Sequence, residues 1–491
     1  MSRRGGAAVF TVVLAFGLVV PAALAKRAGA SPGDIYVTTT ADELNTGGAC
    51  SLREAIRSVN LAQAIGGCQS GATTNMIWLP AGTFRLTRVG AQEQQGVLGD
   101  LDVTRSVYIL GAGASSTIID GNATDRVFDV FNPTGDVTFE DLAIQNGKPA
   151  AGERGGGIEA FAGGRVFLFR TVVRNNQTAD GPDRTPDGGG IYNDGSMIIQ
   201  NSTVNNNLAG GNEGSGGGIW NSGTMQVNGS VVRNNTAHGG NAAMFLIDGG
   251  GGIFNRGTMT VAFDAVTDNV SKYRGGGIAN SGRVEVTKSS FSGNTAVTGG
   301  GLFTNGTMPV TNTTISGNSA TAHGGGLWSS STTTLSNITL TLNVADSDNN
   351  GSGDGGGVYV FAGKTTTKNS LYDSNSDKGG QAPGCSVAGG SYTSQGYNHF
   401  GGTTGCVITG LGATDQVGGN AMLGPLQNNG GFTQTRALLP GSPAIDAGNP
   451  AAPGSGGTSC GTFDQRNSAR PQDGNGDTVA RCDMGAFELK P

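Results

Sequence analysis

The sequence predicts a parallel β-helix, and three observations lead to that prediction. The tetrapeptide Gly-Gly-Gly-(Ile/Leu/Val) occurs eight times, at a spacing of 24 to 25 residues in its most regular part, residues 275–343. An Asn follows the apolar residue by sixteen positions in six consecutive copies. Apolar and polar residues alternate between these landmarks, which is typical of strands with one buried face. The apolar residues are Ile158, Ile191, Ile219, Ile253, Ile278, Leu302, Leu327 and Val358, and the Asn residues are Asn207, Asn235, Asn269, Asn294, Asn318 and Asn343.

A single copy of this repeat cannot bury its apolar face, so the copies must stack. We expect each copy to form one coil, about 4.8 Å from the next. A second apolar position just before the Asn, Val204 or Ile315 for example, adds another buried row. In the first copy Asn176 comes eighteen residues after Ile158. Stacked Asn side chains can hydrogen-bond along the axis and favour a rigid rod.

The composition excludes several classes of protein. Gly accounts for 89 of the 491 residues but does not recur at every third position, so a collagen helix is excluded. Charged residues make up only 13% of the chain, about half the usual ~25%. The net charge is -6 and there are no basic clusters, so we do not expect nucleic acid as a partner.

Residues 1–25 have the pattern of a secretory signal peptide. Arg3 and Arg4 precede an apolar segment, residues 7–20, and the small residues Ala23-Leu24-Ala25 form a cleavage site. A membrane anchor is the alternative, but the apolar segment is short for a membrane span. We therefore predict a protein that is secreted or held at the cell envelope, without a transmembrane segment in the mature chain.

Six cysteines fit an oxidising compartment. They form three pairs that are close in sequence and lie outside the repeats: Cys50 and Cys68, Cys385 and Cys406, Cys460 and Cys482. Fifteen pairings are formally possible, and a zinc site is an alternative that lacks a Cys-x-x-Cys spacing. We expect the three local disulfides, which would fasten the two ends of the rod.

The N-terminal region carries a helix signal and a family resemblance. Ser51 and Glu54 form a capping box, and Leu52, Ile56 and Val59 (with Ile65 as a further candidate) lie on one helical face. Such a helix would cover the open end of the first coil. The segment Cys50-Ser51-Leu52-Arg53-Glu54-Ala55 resembles that of secreted bacterial proteins in which a CSLREA segment leads a right-handed β-helix.

Two further resemblances cover the repeats and the C-terminal region. The Gly-Gly-Gly-Ile repeats resemble those of polymorphic outer-membrane proteins, which are β-helical surface proteins and adhesins, although the membrane barrel of that family is lacking here. Residues 423–488 resemble the choice-of-anchor Q domain through Ser442-Pro443-Ala444-Ile445-Asp446 and Cys482-Asp483-Met484-Gly485, with Asn467 where that family usually has Gly. These resemblances imply a secreted or surface bacterial protein and bring no catalytic residues.

The predicted architecture is therefore all-β: a right-handed parallel β-helix of the pectin-lyase type with caps at both ends. We divide the chain into a signal peptide (1–25), an N-terminal cap with an amphipathic helix (26–75), the β-helix (76–378), and the last coils with a disulfide-bearing C-terminal cap domain (379–491).

Two rows of residues are candidates for ligand contact. Six of the eight residues that follow the apolar anchor are aromatic, and they could form a platform for sugar rings or a packing stack. The aromatic residues are Tyr192, Trp220, Phe254, Phe303, Trp328 and Tyr359, and the next row, Asn193, Asn221, Asn255 and Asn280, predicts a second ladder. The row before the glycines contains Arg154, Asp187 and Arg274, which are candidates for a lyase because that chemistry needs a basic residue beside calcium-bound carboxylates. Charge alternation between stacked coils is the alternative for that row.

Length variation is confined to the segment between each Asn and the next glycines, so the insertions should project from one side of the rod, where repeat proteins often bind partners. Asp346, Asp348 and Asn350 have the oxygen spacing that begins a calcium loop, but Gly357 stands where an EF-hand has Glu. The acidic insertion residues include Asp183 and Asp248. Calcium is the one candidate cofactor, and solvated loop tips are the alternative.

The leading functional hypothesis is a non-catalytic secreted or surface protein that presents loops on a rigid rod, for adhesion or for binding an extracellular polysaccharide or a surface protein. The alternative is a polysaccharide lyase or glycosidase that acts on an acidic polysaccharide. The sequence contains no Gly-x-Ser-x-Gly nucleophile motif and only three His, which leaves little material for a His-based triad.

Overall fold

Short strands pair in parallel with the equivalent segment of the next coil, and this pairing builds a β-helix along the whole repeat region. The computed structural model describes residues 33–69, 75–90, 93–131, 135–161, 163–181, 186–239 and 249–491. The segment interpreted as a signal peptide, residues 1–25, lies outside the described residues, as do Asp183 and Asp248. No helix in the described ranges is long and apolar enough to cross a membrane.

Each full coil contributes one strand to each of four sheets, which follow one another along the chain in the order C, A, B and D. Sheet C contains the residues that follow the glycines, and its described strands are Leu101–Val103, Phe128–Val130, Ile158–Ala160, Ile191–Asn193, Ile219–Asn221, Ile253–Asn255, Ile278–Asn280, Leu302–Thr304, Leu327–Ser329, Val358–Val360 and Cys385–Val387. Sheet A comes next and consists of Asp34–Tyr36, Met76–Trp78, Val107–Leu110, Asp136–Glu140, Arg165–Phe169, Ser196–Gln200, Thr224–Asn228, Thr258–Ala262, Arg283–Thr287, Met308–Thr311, Thr333–Ser336, Lys364–Lys368, Ser391–Ser394 and Ile408–Thr409.

Sheets B and D complete the coil. Sheet B consists of Gly82–Arg85, Thr117–Asp120, Ala143–Gln145, Val172–Arg174, Thr203–Asn205, Val231–Arg233, Ala265–Thr267, Ser290–Ser292, Thr314–Ser316, Thr339–Thr341, Leu371–Asp373, His399–Phe400 and Gln416–Val417. Sheet D consists of Gln177–Thr178, Leu208–Ala209, Thr236–Ala237, Val270–Ser271, Thr295–Ala296, Ser319–Ala320, Val344–Ala345 and Ser376–Asp377. The strands at either end extend the sheets beyond the range 76–378.

The predicted Asn ladder is present and continues by one more coil, to Asn375. Each side-chain nitrogen donates to the side-chain oxygen of the Asn in the next coil, with N-to-O distances of 2.9–3.0 Å. Asn176 is also part of the ladder. It comes eighteen rather than sixteen residues after the apolar anchor because the connection between Ala160 and Arg165 is two residues longer than its equivalents. The second predicted ladder is also present, since Asn193, Asn221, Asn255 and Asn280 bond in series at 2.6–2.8 Å.

The N-terminal helix α1 (Leu52–Leu61) begins with the predicted capping box. The Ser51 hydroxyl accepts from the Glu54 N–H at 3.1 Å, and the Glu54 carboxylate accepts from the Ser51 N–H at 3.0 Å. Leu52, Ile56 and Val59 are buried. Ile65 lies beyond the helix, because Ala62 adopts the left-handed conformation (φ 52°) and ends it.

The C-terminal segment, residues 419–491, lies along the side of the rod. Its small core (Ala421, Leu438, Ala444, Met484 and Phe487) includes Leu371 of sheet B, and its hairpin strands are Leu423–Gln427 and Thr435–Leu438. Hydrogen bonds join Thr433 to the Lys288 carbonyl at 3.2 Å, Thr314 to Gln465 at 2.6 Å, and Thr339 to the Ala486 N–H at 3.0 Å. The segment predicted to cap the end therefore contacts the rod from the turn at Lys288 and covers the flank of sheet B from Ser316 onward, because Leu371 and the hydroxyls of that flank give it an apolar and hydrogen-bonding surface.

The three predicted local disulfides are confirmed as Cys50–Cys68, Cys385–Cys406 and Cys460–Cys482. The first holds the start of α1, and the second joins the last coils. The third does not fasten an end of the rod: it lies in the flank segment, whose neighbouring Asn449 bonds to Asn369.

A testable consequence of the ladder concerns Asn269. Asn269→Ala would leave the buried Asn235 backbone N–H without its acceptor and would remove one hydrogen bond of the Asn235 side-chain nitrogen, because the Asn269 side-chain oxygen accepts from both. Each unpaired buried polar group costs about 1–3 kcal/mol, so we expect a loss of about 3 kcal/mol, measured as a lower melting temperature.

The control is Asn228→Ala, which changes an exposed Asn on the outer face of sheet A. Its effect should stay within about 0.5 kcal/mol. Equal effects of the two substitutions would contradict the role given to the ladder.

Candidate functional site

The outward residue at the centre of each sheet C strand forms one continuous row along the rod. The row begins with three acids, Asp102, Asp129 and Glu159, which are in register with one another. Glu159 is in register with Tyr192, where the predicted aromatic row begins. The acidic and aromatic residues are thus two parts of one surface feature.

The aromatic rings of this row stack on one another along the axis. The ring centroids of Tyr192 and Trp220 are 4.3 Å apart and their ring planes are nearly parallel, and the same holds for Phe303 and Trp328. Trp220 and Phe254 follow at 6.1 Å. The faces of these rings are therefore occupied by their neighbours.

The burial of the aromatic row also indicates that its rings pack against one another. Five members of the row, Tyr192, Trp220, Phe254, Phe303 and Tyr359, are at most 7% exposed, and Trp328 is half-buried. Side chains that alternate with the apolar anchors could have been partly exposed, but these five are buried. The structure favours a packing stack over an open platform for sugar rings.

The three catalytic candidates are held by this stack or by the backbone. The Arg154 guanidinium lies 4.8 Å from the Tyr192 ring centre and donates to its hydroxyl at 2.9 Å. The Arg274 guanidinium lies 4.5 Å from the ring centre of Tyr273 and 5.2 Å from that of Phe303. Buried Asp187 accepts from the Ser215 N–H at 3.2 Å. Arg154 and Arg274 are four coils apart, about 19 Å, so these residues do not form one catalytic group.

The candidate calcium loop uses its oxygens to shape a turn. The Asp346 carboxylate is fully buried and accepts from the Asn350 and Gly351 N–H groups at 3.0 and 3.1 Å. Asp348 accepts from the Asn350 side chain at 2.9 Å. The insertions do project from one side, because those described lie between sheets D and C.

The acidic end of the row was missed by our sequence reasoning. Carboxylate oxygens of Asp100, Asp102 and Asp129 lie within 4.8 Å of one another, and all three residues are buried. The first two coils lack the Gly-Gly-Gly marker, so a search for that repeat stops short of them. The pattern Leu101-Asp102-Val103, Phe128-Asp129-Val130, Ile158-Glu159-Ala160 is a signal that could have found the cluster.

One buried arginine faces this cluster. Arg126 lies 3.6 Å from Asp100, 3.3 Å from Asp129 and 3.5 Å from Glu153, and it also pairs with Glu159. Asp125 accepts from the Arg126 N–H at 2.7 Å. With Asp102, six carboxylates lie around Arg126, and Arg154 also acts on Glu159, so the acids of this described region outnumber the two guanidinium groups.

The loop before the first sheet C strand covers the cluster, and α1 holds that loop in place. The Gly96 N–H donates to Asp102 at 2.5 Å. Arg53 donates to the carbonyls of Gly96, Gly99 and Asp100 at 2.8–3.2 Å. Arg53 also pairs with Asp42, and it is 1% exposed. The arginine of the CSLREA segment therefore positions the cover of the acidic cluster.

Burial shifts the titration of these acids. Desolvation raises the pKa of Asp100 to about 9, that of Asp102 to about 7, and that of Glu159 to about 7. The pKa of Asp129 rises to about 6 for the same reason, although Arg126 and the Gln94 side chain lower it in part. The folded protein therefore holds protons here that the unfolded chain would release.

A second surface is the part of sheet B that the C-terminal segment leaves uncovered. One outward row of this sheet is polar over eight successive coils, which span about 34 Å. The row consists of Arg85, Asp120, Gln145, Arg174, Asn205, Arg233, Thr267 and Ser292. Arg85 and Arg233 are exposed and Arg174 is half-buried, whereas the next residue in register, Ser316, is buried under the C-terminal segment. We call this open row the sheet B strip.

A second line of polar groups runs beside the sheet B strip. Asn175, Asn206 and Asn234 are exposed, and all three adopt a left-handed backbone conformation at the turn into sheet D. At the N-terminal end a groove of about 250 Å³ is lined by Arg85, Asp120, Asn122, Asn146, Asn175 and Gln177. The Asp120 carboxylate accepts from the Asn122 N–H and from the side chains of Gln145 and Asn146, all at 2.8–3.0 Å.

Exposed aromatic residues mark the other end of the sheet B strip. Phe432 and Phe463 of the C-terminal segment are 70% and 45% exposed. Phe432 contacts Phe263 edge-on at 5.3 Å, and the Lys288 ammonium lies 5.2 Å from the ring centre of Phe263 and 5.4 Å from that of Phe463. The open flank therefore combines guanidinium, amide and aromatic groups.

Comparisons with known proteins give likeness only at the level of fold. No family model and no curated protein matches the chain. Pectate lyase Pel9A is 16% identical over 94% of this chain and 98% of its own, with a TM-score of 0.43. The Agl-KA catalytic domain is 14% identical, with a TM-score of 0.35 over 70% of this chain and 60% of its own. The A-module of the Azotobacter vinelandii mannuronan C-5 epimerase AlgE4 is 15% identical, with a TM-score of 0.32 over 77% and 98%. The fold assignment rests on the strand pairing described above.

The raised pKa values predict how stability depends on pH. Groups whose folded pKa lies above the unfolded value of about 4 stabilise the fold most below that pH, and this contribution is lost as pH rises towards 6–9. In chelator, the melting temperature should therefore be lower at pH 8.5 than at pH 5.5. Asp102→Asn removes one such group and should reduce the difference in the free energy of unfolding between the two pH values by on the order of 1 kcal/mol.

Asp136→Asn, which changes an acid outside the cluster on sheet A, is the control and should leave the pH difference unchanged. A melting temperature that rises from pH 5.5 to 8.5 would contradict the assignment of raised pKa values to the acids of this cluster.

The packing role of the aromatic stack predicts the behaviour of Trp220→Ala. Loss of a buried aromatic ring costs about 3 kcal/mol or more, so the melting temperature should fall clearly. Polysaccharide binding measured well below the transition should be unchanged, because the ring faces are already occupied. Tyr36→Ala changes a Tyr that is 47% exposed and should cost less. Lost binding with an unchanged melting temperature would instead support the sugar-platform interpretation.

Proposed function

We propose that this protein is a secreted or surface-held, non-catalytic binding rod whose sheet B strip holds an extended acidic polysaccharide. The observation that carries the proposal is the strip itself, a row about 34 Å long that is accessible at Arg85, Arg174 and Arg233, although Asp120 and Asn205 between them are buried. The secretion part of the proposal rests on the pattern of residues 1–25.

The chemistry of the sheet B strip suits a linear polyanion. Guanidinium groups bind carboxylates or sulfates through charge-assisted hydrogen bonds, and the exposed Asn amides can bond to sugar hydroxyls. Because coils repeat about 4.8 Å apart, Arg85, Arg174 and Arg233 lie about 14 and 10 Å apart along the axis, and one extended polysaccharide can span these distances. Phe432 and Phe463 provide exposed ring faces on which a sugar can stack at one end.

The same surface lacks support for a catalytic role. In the groove beside Arg85, the Asp120 carboxylate is 4% exposed and already accepts three hydrogen bonds, so it is poorly placed to act as an acid or base. The acids with raised pKa values lie elsewhere, under the loop held by Arg53. These features favour binding over the lyase or glycosidase alternative.

The proposal is tested with a panel of polyuronate, sulfated and neutral glycans. The purified protein should bind the acidic glycans, more weakly as salt rises, and should release no new chain ends. The double variant Arg174→Ala/Arg233→Ala should weaken binding about tenfold or more, because each charge-assisted contact contributes about 1.5 kcal/mol.

The matched control is Arg283→Ala, which removes an exposed Arg from sheet A. Affinity should stay within about twofold of the unaltered protein, which is the scatter expected for a residue outside the contact. Equal affinity of the double variant, preference for neutral glycans, or binding only to a surface protein would overturn the proposed site. New chain ends would overturn the non-catalytic assignment.

A further inference from the structure

We propose that Asp100, Asp102 and Asp129 bind one divalent cation of the size of calcium, which fastens the N-terminal cover to the first two coils. This site is distinct from the sheet B strip and does not depend on the function proposed for it. It is also distinct from the loop at Asp346 that the sequence suggested for calcium.

The geometry of the three carboxylates fits such an ion. One oxygen from each lies within 4.8 Å of the other two. Calcium binds oxygen ligands at about 2.3–2.6 Å, so oxygens within 4.8 Å of one another can bind one ion after small rotations of the side chains. Calcium accepts about six to eight oxygens in a flexible arrangement, whereas magnesium needs near-ideal octahedral geometry and usually keeps several waters. The three carboxylates are buried between adjacent coils, which leaves little room for retained waters and favours calcium.

An unpartnered oxygen points to a ligand at the same place. Asp129 is 1% exposed, and its Oδ1 has no hydrogen-bond partner in the described part of the chain. A buried carboxylate oxygen without a donor is costly, because it has lost water and gained nothing in return. The Nε of the neighbouring Arg126 also makes no hydrogen bond in the described ranges, and it lies 3.6 Å from the Asp100 carboxylate. The hydrogen bonds of the cluster are therefore incomplete on both sides.

The charge of the surroundings leads to the same inference. Asp125, Glu153 and Glu159 add to the three proposed ligands, and the cations acting on these six acids are Arg126 and, at Glu159, Arg154. Arg126 contacts Asp100 and Asp129 at more than 3.2 Å and makes its closest contact with Glu159. A divalent cation would neutralise carboxylates that the guanidinium reaches only loosely.

The proposed ligands connect the parts of the N-terminal region. Asp102 and Asp129 belong to the first and second strands of sheet C, whereas Asp100 ends the covering loop. Arg53 of α1 holds that loop by its carbonyls. A cation at this point would hold the cover and the first two coils together, so its main effect should be on the stability of the N-terminal end.

The test uses the purified protein, stripped with chelator and returned to pH 8. Calorimetric titration with calcium chloride should show one site, with a Kd of about 1 mM or lower, the weak end of extracellular calcium sites. Saturating calcium should raise the melting temperature by about 3 °C or more, and magnesium should raise it less. No heat and no shift with up to about 10 mM calcium would overturn the proposal.

Asp129→Asn keeps the shape of the side chain but removes a ligand charge. In chelator this variant should be at least as stable as the unaltered protein, because it relieves the excess of acids, and it should lose the stabilisation by calcium. Asp346→Asn is the control and should retain the full calcium response. A response that survives in Asp129→Asn but disappears in Asp346→Asn would move the site to the insertion loop and overturn the assignment.

Discussion

The constraint on which the rest of the structure depends is the fixed register between coils. Parallel strands repeat at one spacing, and the ladder from Asn176 to Asn375 bonds each coil to the next through a buried side chain. A polar residue in this position can be satisfied only by its equivalents above and below, so a slip of one residue would leave a series of unpaired groups. Every outward residue therefore recurs along a straight line, and each line is either covered or available to a partner.

The surfaces of the rod differ in what covers them. On sheet C the aromatic rings from Tyr192 to Trp328 cover one another, and the loop held by Arg53 covers the acids. On sheet B the C-terminal segment covers the later coils and leaves the Arg-containing coils open. The choice of a binding surface follows from this coverage more than from residue type, since aromatic residues are buried on one sheet and exposed at the end of the strip on another.

The acidic residues of the N-terminal region lie on the first coils of the rod, at the end where sheet C begins. Six carboxylates around Arg126 are stable only if protons or a cation compensate their charge. The raised pKa values of Asp100 and Asp102 correspond to compensation by protons, and the proposed calcium site corresponds to compensation by a cation. Both forms of compensation act on the same loop. The stability of this end of the rod should therefore depend on pH and on divalent cations, whereas the contribution of the Asn ladder should not.

The sequence by itself determined the β-helix, its coil boundaries, both Asn ladders, the capping box at Ser51 and the local disulfides. These features depend on residues that meet their own equivalents one repeat away, so the repeat spacing is enough to place them. Only the tertiary structure decided that Trp220 is buried, that Arg154 and Arg274 are held by aromatic rings, and that residues 419–491 lie on sheet B. Only it joined Asp100, Asp102 and Asp129, because their coils lack the repeat marker and their burial depends on a loop outside the repeat. Contacts between a repeat and a segment that does not repeat have no period, so the repeat spacing does not place them.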